Sequence, residues 1–212
     1  METDVHGLPV RPLPDGSDIR RARQDELPRV ARLLAAAFYD DPVGGWVYRD
    51  DGRRLARLEA LFALSHRRVW QRHDEVWVTE HDAGAAVWMP PGTAKTGTWE
   101  DLRLMPPTIR SAGRDSVRLL RLLSAFDKKH PHEREHWYLP FVGVTPEYQG
   151  RGFGAALLRR VLDRCDADGT PAYLEASAPR NRALYERHGF VVREEIRVAD
   201  SPPVWAMWRE PA

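Results

Sequence analysis

The 212-residue sequence lacks the features that mark disulfide-rich, membrane-spanning and nucleic-acid-binding proteins. Its single cysteine, Cys165, excludes an intrachain disulfide and fits a reducing compartment. Its longest apolar runs are far shorter than the ~20 residues that a membrane-spanning helix needs, and no basic start is followed by an apolar signal segment. The net charge of +1 argues against a broad surface for nucleic acid or membrane. We therefore expect a cytoplasmic protein that binds neither nucleic acid nor membrane.

The composition is that of a globular domain. Hydrophobic residues make up 42% of the chain and charged residues 30%, so there are enough apolar side chains for a substantial core. Residues 1–16 hold several prolines and glycines without apolar periodicity, which predicts a flexible tail. Residues 17–212 then suit one α/β domain, as a monomer or a homodimer.

Strand-like and helix-like segments are mixed along the chain. Alternating or short apolar runs predict strands, and apolar residues spaced by three and four predict amphipathic helices. The pair Pro106-Pro107 should break or kink the third helix, and residues 39–51 look like a loop because they carry proline and glycines. The predicted strands are 18–23, 75–80, 85–89, 136–144, 172–176, 191–198 and 204–208, and the predicted helices are 25–38, 53–72, 98–126, 152–166 and 179–188.

Residues 142–155 carry the strongest functional signal. A strand ends there, Gly150, Gly152 and Gly154 alternate, and an amphipathic helix begins. Glycine allows a ligand to approach the backbone closely, and a helix start offers unpaired N–H groups at the positive end of its dipole. This combination predicts an anion site, most naturally for phosphate, to which Arg151 would add charge.

Other phosphate motifs fit this stretch less well. A Rossmann fingerprint needs Gly-x-Gly-x-x-Gly near the first strand, and here the third glycine has a different spacing, although Glu175 lies at about the right distance. A P-loop needs Gly-Lys-Ser/Thr, which is absent. A plain glycine-rich turn is the remaining structural interpretation, and the flanking strand and helix make it less favourable.

Residues 132–136 match His-Glu-x-x-His, the pattern of zinc proteases. That chemistry requires both histidines on one face of a continuous helix and a third ligand. Pro131 stands directly before the pattern and a predicted strand directly after it, so little room is left for a helix. We interpret the segment as a solvated connector and expect no metal.

Residues 142–155 resemble the acetyl-CoA motif of the GNAT acetyltransferases, in which Gln/Arg-x-x-Gly-x-Gly/Ala follows a Val-x-Val strand. The similarity continues through residues 174–181 and 184–190. Residues 34–38 and 86–88 also resemble the puromycin N-acetyltransferase branch of that family. The resemblance implies a GNAT-like acyl-CoA N-acyltransferase fold, in which a central, mostly antiparallel mixed sheet is flanked by helices and has one parallel pair at the cofactor cleft.

The resemblance also implies roles for individual residues. Acetyl-CoA would be the cosubstrate, and the strand would splay from its neighbour at Gly143 to admit the pantetheine arm. Tyr185 would protonate the leaving thiolate, which needs a positioned acid because a thiol has a pKa near ~8.5. The residues expected to contact acetyl-CoA are Val142, Gly143, Val144, Gln149, Gly150, Arg151, Gly152, Phe153, Gly154, Ala155 and Asn181.

The acceptor is an amine that must lose a proton before it attacks. Glu175 is the candidate base, directly or through water, with His136 and Tyr138 as alternatives on the facing strand. Aromatic side chains near the expected cleft favour a small aromatic or aminonucleoside-type amine, and the residues expected to contact it are Phe38, Tyr39, Trp46 and Trp88. Acetylation of a protein lysine or N-terminus, or a silent acyl-CoA sensor, are the alternatives.

Overall fold

The computed structural model describes residues 19–68, 70–79, 81–93 and 106–212; for residues 66–68 and 71 it describes the backbone alone. The predicted N-terminal tail, the start of the first strand at Asp18 and the predicted helical residues 98–105 lie outside the described residues.

Seven strands form one mixed sheet in the order β1-β2-β3-β4-β5-β7-β6. All adjacent strands pair antiparallel except β4 and β5, which are parallel. The expected sheet, mostly antiparallel with one parallel pair, is therefore confirmed. The strands are β1 Ile19–Arg21, β2 Val76–Thr79, β3 Gly84–Met89, β4 Trp137–Val144, β5 Ala172–Ala176, β6 Val191–Ile196 and β7 Val204–Arg209.

Seven α-helices occur in the described part of the chain, and two of them differ from expectation. Residues 39–51 were expected as a loop but contain a short helix, because the Asp41 side chain caps it and Pro42 occupies its first position. The helix predicted at residues 98–126 is divided at residues 113–115, which form a short 3-10 helix, whereas the break predicted at Pro106-Pro107 stays a prediction because residues 98–105 lie outside the described residues. The helices are α1 Leu27–Ala37, α2 Pro42–Val47, α3 Asp51–Arg68, α4 (residues 106–112), α5 Ser116–Lys129, α6 Phe153–Asp168 and α7 Pro179–Glu186.

The helices cover the sheet on both faces and divide the core in two. On one face, α1, α3 and α5 pack around an aromatic cluster in which the Phe62 and Phe141 rings are 5.0 Å apart. On the other face, α6 and α7 pack over the sheet, and Leu157, Leu158 and Val161 of α6 are completely buried. Burial of such side chains is worth about 1.5–3 kcal/mol each.

The parallel pair β4–β5 opens into a cleft from Pro140 toward the C-terminal end of β4. β4 and β5 are paired only from Trp137–Ala172 to Leu139–Leu174; the next residue, Pro140, has no N–H to donate. Beyond it, β4 pairs with β3 and β5 pairs with β7. The splay expected at Gly143 therefore begins three residues earlier.

Gly143 has a different task, which is to let α1 lie directly on the sheet. A Cβ atom at Gly143 would be 2.8 Å from Ala37 Cβ and 3.1 Å from Leu34 Cδ2. Gly84 of the neighbouring strand is similarly confined, since its Cβ would lie 2.8 Å from the Gly143 carbonyl oxygen and 3.1 Å from Leu157 Cδ1. These two glycines set how closely the helices on both faces approach the cleft.

We predict that Gly84→Ala lowers the free energy of unfolding by roughly 1–3 kcal/mol, because the added methyl group meets backbone that cannot move aside. Gly52→Ala is the matched control, since the nearest atom to its added Cβ is 3.4 Å away, near the start of α3. Alanine favours a helix over glycine, so that variant should be neutral or more stable by up to about 1 kcal/mol. Urea unfolding measures both, and equal effects would contradict the packing argument.

Candidate active site

The glycine loop between β4 and α6 has the geometry of an anion site. Gly150 and Gly152 have φ values of 74° and 83°, a region that side-chain-bearing residues rarely adopt, and Gly152 caps α6. The first helical bond runs from the Ala156 N–H to the Gly152 carbonyl, at 3.0 Å. The three preceding amides, of Phe153, Gly154 and Ala155, are left without a partner inside the helix, at the positive end of its dipole.

Side chains fix the loop against the neighbouring elements. The Gln149 Nε2 donates to the Val144 carbonyl at 3.0 Å, and its Oε1 accepts from Arg180 at 3.3 Å. Arg151 turns instead onto the Tyr148 ring, with its guanidinium carbon 5.6 Å from the ring centre. The contribution of the Arg151 charge to the anion site therefore stays a prediction.

A cavity of about 560 Å³ lies between this loop, the end of α1 and α7. We call it the glycine-loop cavity. All the residues predicted to contact acetyl-CoA line it except Arg151. Arg180 and Arg187 of the α7 region also line it; sequence reasoning missed them, although their place beside a predicted anion site was a usable signal. The lining residues are Ala37, Phe38, Asp41, Val142, Gly143, Val144, Tyr148, Gln149, Gly150, Gly152, Phe153, Gly154, Ala155, Arg180, Asn181, Leu184, Tyr185 and Arg187.

Tyr185 reaches this cavity from α7, where it shares a helix face with Asn181 one turn earlier. It is 6% exposed. Burial raises the pKa of the Tyr185 phenol, and the nearby Asp41 carboxylate raises it further. The phenol therefore remains protonated at neutral pH, which is the form that a proton donor requires.

Glu175 lies at the mouth of the split sheet, one position beyond the last β5 residue that pairs with β4. Its Oε2 accepts a 2.8 Å hydrogen bond from the Tyr138 hydroxyl, and its Oε1 has no hydrogen-bond partner in the described part of the chain. Burial raises the pKa of Glu175 to about 7, against the lowering effect of the Tyr138 and Tyr173 hydroxyls. A carboxyl group that titrates near neutrality is suited to general-base catalysis.

The two alternative bases are less suited to that role. Burial and the Glu175 charge raise the pKa of Tyr138 well above its ordinary value, so its hydroxyl serves as a donor to Glu175. The ring nitrogens of His136 are engaged by the Arg134 carbonyl at 2.8 Å and by His130 Nε2 at 3.1 Å, away from both cavities. Of the three candidates, only Glu175 has a pKa raised to near neutrality together with an oxygen that has no hydrogen-bond partner among the described residues.

A second cavity, of about 700 Å³, lies on the α1, α3 and α5 side of the sheet. We call it the aromatic cavity because Phe38, Tyr48, Phe62, Tyr138 and Phe141 form much of its wall. Three carboxylates also line it, those of Asp41, Asp127 and Glu175, and none of its described lining residues is basic. Phe38 and Asp41 line both cavities, so the two cavities meet at these residues.

Of the four residues predicted to contact the acceptor, only Phe38 lines either cavity. The Trp46 indole donates to Asp200 at 2.9 Å, and the Tyr39 ring lies 5.3 Å from the Arg54 guanidinium carbon on the outer side. Trp88 is 1% exposed and belongs to the core on the α6 face of the sheet, opposite the aromatic cavity. Sequence spacing could not show which sheet face Trp88 takes, because every residue of β3 is buried.

The segment 132–136 is irregular rather than helical, so its histidines do not stand on one helix face as zinc proteases require. Within the described residues, no three histidine, cysteine or acidic side chains are grouped as metal ligands are. Nor does any helix in that part of the chain have the length and apolar character to cross a membrane.

Comparisons with known proteins agree with the fold. Residues 109–190 match the model of the acetyltransferase (GNAT) family. An uncharacterized N-acetyltransferase from Schizosaccharomyces pombe is 29% identical over 210 residues, which cover 91% of this chain and 83% of that protein. Among solved structures, "histone acetyltransferase HPA2 and related acetyltransferase" from Corynebacterium glutamicum is 25% identical to this chain. Its TM-score is 0.65, and the match covers 92% of this chain and 96% of that one.

An N-acetyltransferase from Staphylococcus aureus shares the fold at 16% identity, with a TM-score of 0.59 over 90% of this chain and 98% of its own. The family model, the relative that spans most of the chain and the split mixed sheet all point to one family. The chain therefore has the fold of the GNAT N-acetyltransferases.

Proposed function

We propose that this enzyme transfers the acetyl group of acetyl-CoA to the amine of a small aromatic molecule, aminonucleoside-type amines included, by direct attack in a ternary complex. The observation that carries the proposal is the meeting of two unlike cavities at Phe38 and Asp41. One offers unpaired amides and arginines for phosphates. The other offers aromatic walls and carboxylates for a cationic, apolar amine. The likeness of residues 34–38 and 86–88 to puromycin N-acetyltransferases favours the same class of acceptor.

The groups that line the glycine-loop cavity follow the same order as the parts of coenzyme A that they would contact. The pyrophosphate would accept hydrogen bonds from the unpaired amides at the start of α6, with Arg180 and Arg187 nearby to balance its charge. The pantetheine arm would follow Val142 to Val144, whose backbone edge is released when β5 diverges. One N–H of that edge would polarise the thioester carbonyl, an interaction worth roughly 3 kcal/mol.

The proton transfers fall to Glu175 and Tyr185. The ammonium of the acceptor loses a proton to Glu175, and its nitrogen then attacks the thioester carbonyl carbon. When the C–S bond breaks, Tyr185 donates its proton to the leaving thiolate, and the proton that the nitrogen loses as the amide forms returns, through solvent, to Tyr185. The products are an N-acetylated amine and coenzyme A, with no covalent enzyme intermediate.

The base role predicts the acidic side of the pH profile. Because Glu175 acts when ionised and its pKa is raised to about 7, kcat/KM should fall about tenfold per pH unit below neutrality. In Glu175→Gln, activity should fall by about 10²-fold and this pH dependence should disappear. In Tyr185→Phe, kcat should fall by a similar ~10² factor while the acidic limb and the acetyl-CoA affinity remain.

A measurement of unfolding free energy shows whether the loss of activity in Glu175→Gln comes from misfolding or from loss of the base. The folded pKa of about 7 exceeds the ordinary value of 4.5, so wild-type stability declines as pH rises from about 4.5 to 7. The Gln variant escapes this decline and should be more stable than wild type at pH 8, by up to about 3 kcal/mol. A folded Gln variant that keeps the acidic limb would remove Glu175 as the base.

The cofactor role of the loop is tested by two matched glycine substitutions. Gly150 and Gly169 both have positive φ, at 74° and 63°, and a Cβ at either position would have no atom within 4 Å. Gly150→Ala should weaken acetyl-CoA binding by about tenfold or more, because the methyl group lies where phosphate must approach. Gly169→Ala, at the far end of α6, should carry the same backbone strain and leave affinity unchanged. Titration calorimetry of both, with equal affinities as the contrary outcome, decides the assignment.

The acceptor is tested with an amine panel in a thiol-release assay. We expect kcat/KM for small, singly charged aromatic or aminonucleoside-type amines to exceed that for kanamycin-like polyamines by at least ~10-fold, since the aromatic walls have few polar groups for a polycation. Activity only on a peptide lysine would contradict the acceptor class and leave acetyl transfer in place. Acetyl-CoA binding without transfer to any amine would contradict the proposed function itself.

A further inference from the structure

Asp41 occupies an unusual position for a carboxylate. It is 8% exposed, it follows the end of α1, and it lines both the glycine-loop cavity and the aromatic cavity. Glu175 lines the aromatic cavity and Tyr185 lines the other. Asp41 is therefore the acidic side chain at the boundary that the acetyl group and the amine must share.

Three hydrogen bonds hold the Asp41 carboxylate in place. Its Oδ1 accepts from the Val43 N–H at 2.9 Å and the Gly44 N–H at 3.0 Å, which caps α2. Its Oδ2 accepts from the hydroxyl of Ser177, which follows β5. A carboxylate has about four acceptor positions, so one position on Oδ2 remains after these three bonds.

We propose that Asp41 binds the acceptor amine at the boundary of the two cavities and thereby positions it for attack. The remaining Oδ2 position accepts one N–H of the amine, while α2 and Ser177 keep the carboxylate from turning away. This inference rests on the proposed acetyl transfer to a small amine. It adds a residue that touches the substrate and is distinct from the proton acceptor Glu175.

The surroundings of Asp41 favour a cation at this point. Burial raises the pKa of the Asp41 carboxyl, while the Ser177 hydroxyl, the two α2 amides and the guanidinium of Arg180 oppose that rise. The net effect leaves the buried carboxylate incompletely compensated, and an ammonium group in the cavity would favour its ionised form. Arg180 lines the glycine-loop cavity and not the aromatic cavity, so it does not take the amine position on the acceptor side.

The alternative is that Asp41 only caps α2 and fastens it to β5. The two roles differ in what they do to ligands of equal shape. A structural role affects an amine and its alcohol analogue alike, whereas a binding role affects the amine alone. Asp41→Asn separates them, because the asparagine Oδ1 is an equally good helix cap and its Nδ2 can donate to the Ser177 hydroxyl, which then accepts, but asparagine lacks the charge.

The test measures phenethylamine and 2-phenylethanol binding to the protein–coenzyme A complex by calorimetry, with phenethylamine kinetics alongside. Wild type should bind the amine at least ~10-fold more tightly than the alcohol, since a charge-assisted bond is stronger than a neutral one. Asp41→Asn should lose most of that ratio, keep its alcohol and coenzyme A affinities within about twofold, and show its kinetic defect mainly in KM. Glu175→Gln should lose kcat and retain the amine preference.

Three results would overturn the inference. One is a wild-type complex that does not prefer the amine, which needs no variant and so holds even if Asp41→Asn fails to fold. Another is a folded Asp41→Asn protein with the wild-type ratio. The third is equal loss of both ligands in that variant. All three are distinct from failure of the proposed function, which would appear as coenzyme A binding without acetyl transfer to any amine of the panel.

Discussion

The separation of β4 from β5 is the constraint on which the rest of the site depends. The strands pair for three residues, and the parallel pairing ends at Pro140, where a bulge also shifts the register of β4 against β3 between Tyr138 and Phe141. Beyond this point β5 no longer pairs with the β4 backbone, and Glu175 lies at the mouth of the split. Because β3 and β7 hold the outer edges of the two strands, the opening does not loosen the sheet.

The carboxylates of the molecule fall into two groups according to their partners. Glu26 bonds to Arg20 at 2.7 Å, which with other bonds lowers its pKa to about 2, and Asp166 bonds to Arg209 at 2.7 and 2.8 Å. Asp41 and Glu175 have hydroxyl and amide partners instead, and burial raises the pKa of both. An arginine partner offsets the cost of burying a carboxylate, whereas a carboxylate held by neutral donors beside a cavity is a candidate functional group.

The lining of the glycine-loop cavity was predictable because its signal is local in the sequence. Backbone amides, alternating glycines and a helix start follow each other within a dozen residues, so their positions are fixed by chain connectivity. Asn181 and Tyr185 are likewise one helical turn apart. The position of the Arg151 side chain is less predictable, because a long side chain in a loop can stack on Tyr148 as readily as it can face an anion.

The wall of the aromatic cavity was not predictable in the same way, because the residues that form it are far apart in the chain. Phe38, Phe62 and Phe141 meet only when α1, α3 and β4 pack together, with the α1–sheet distance set by Gly143. Aromatic content near the loop identified Phe38 and failed for Trp88, since the sheet face of a fully buried strand is decided by its neighbours. Asp41 had a local signal, an Asp-Pro pair that caps a helix, but that signal is structural. Its contact with both cavities arises because the segment between α1 and α2 lies beside the split in the sheet, where Asp41 bonds to Ser177 after β5. A residue that local chemistry selects as a helix cap therefore acquires, through the topology of the fold, a place between two cavities.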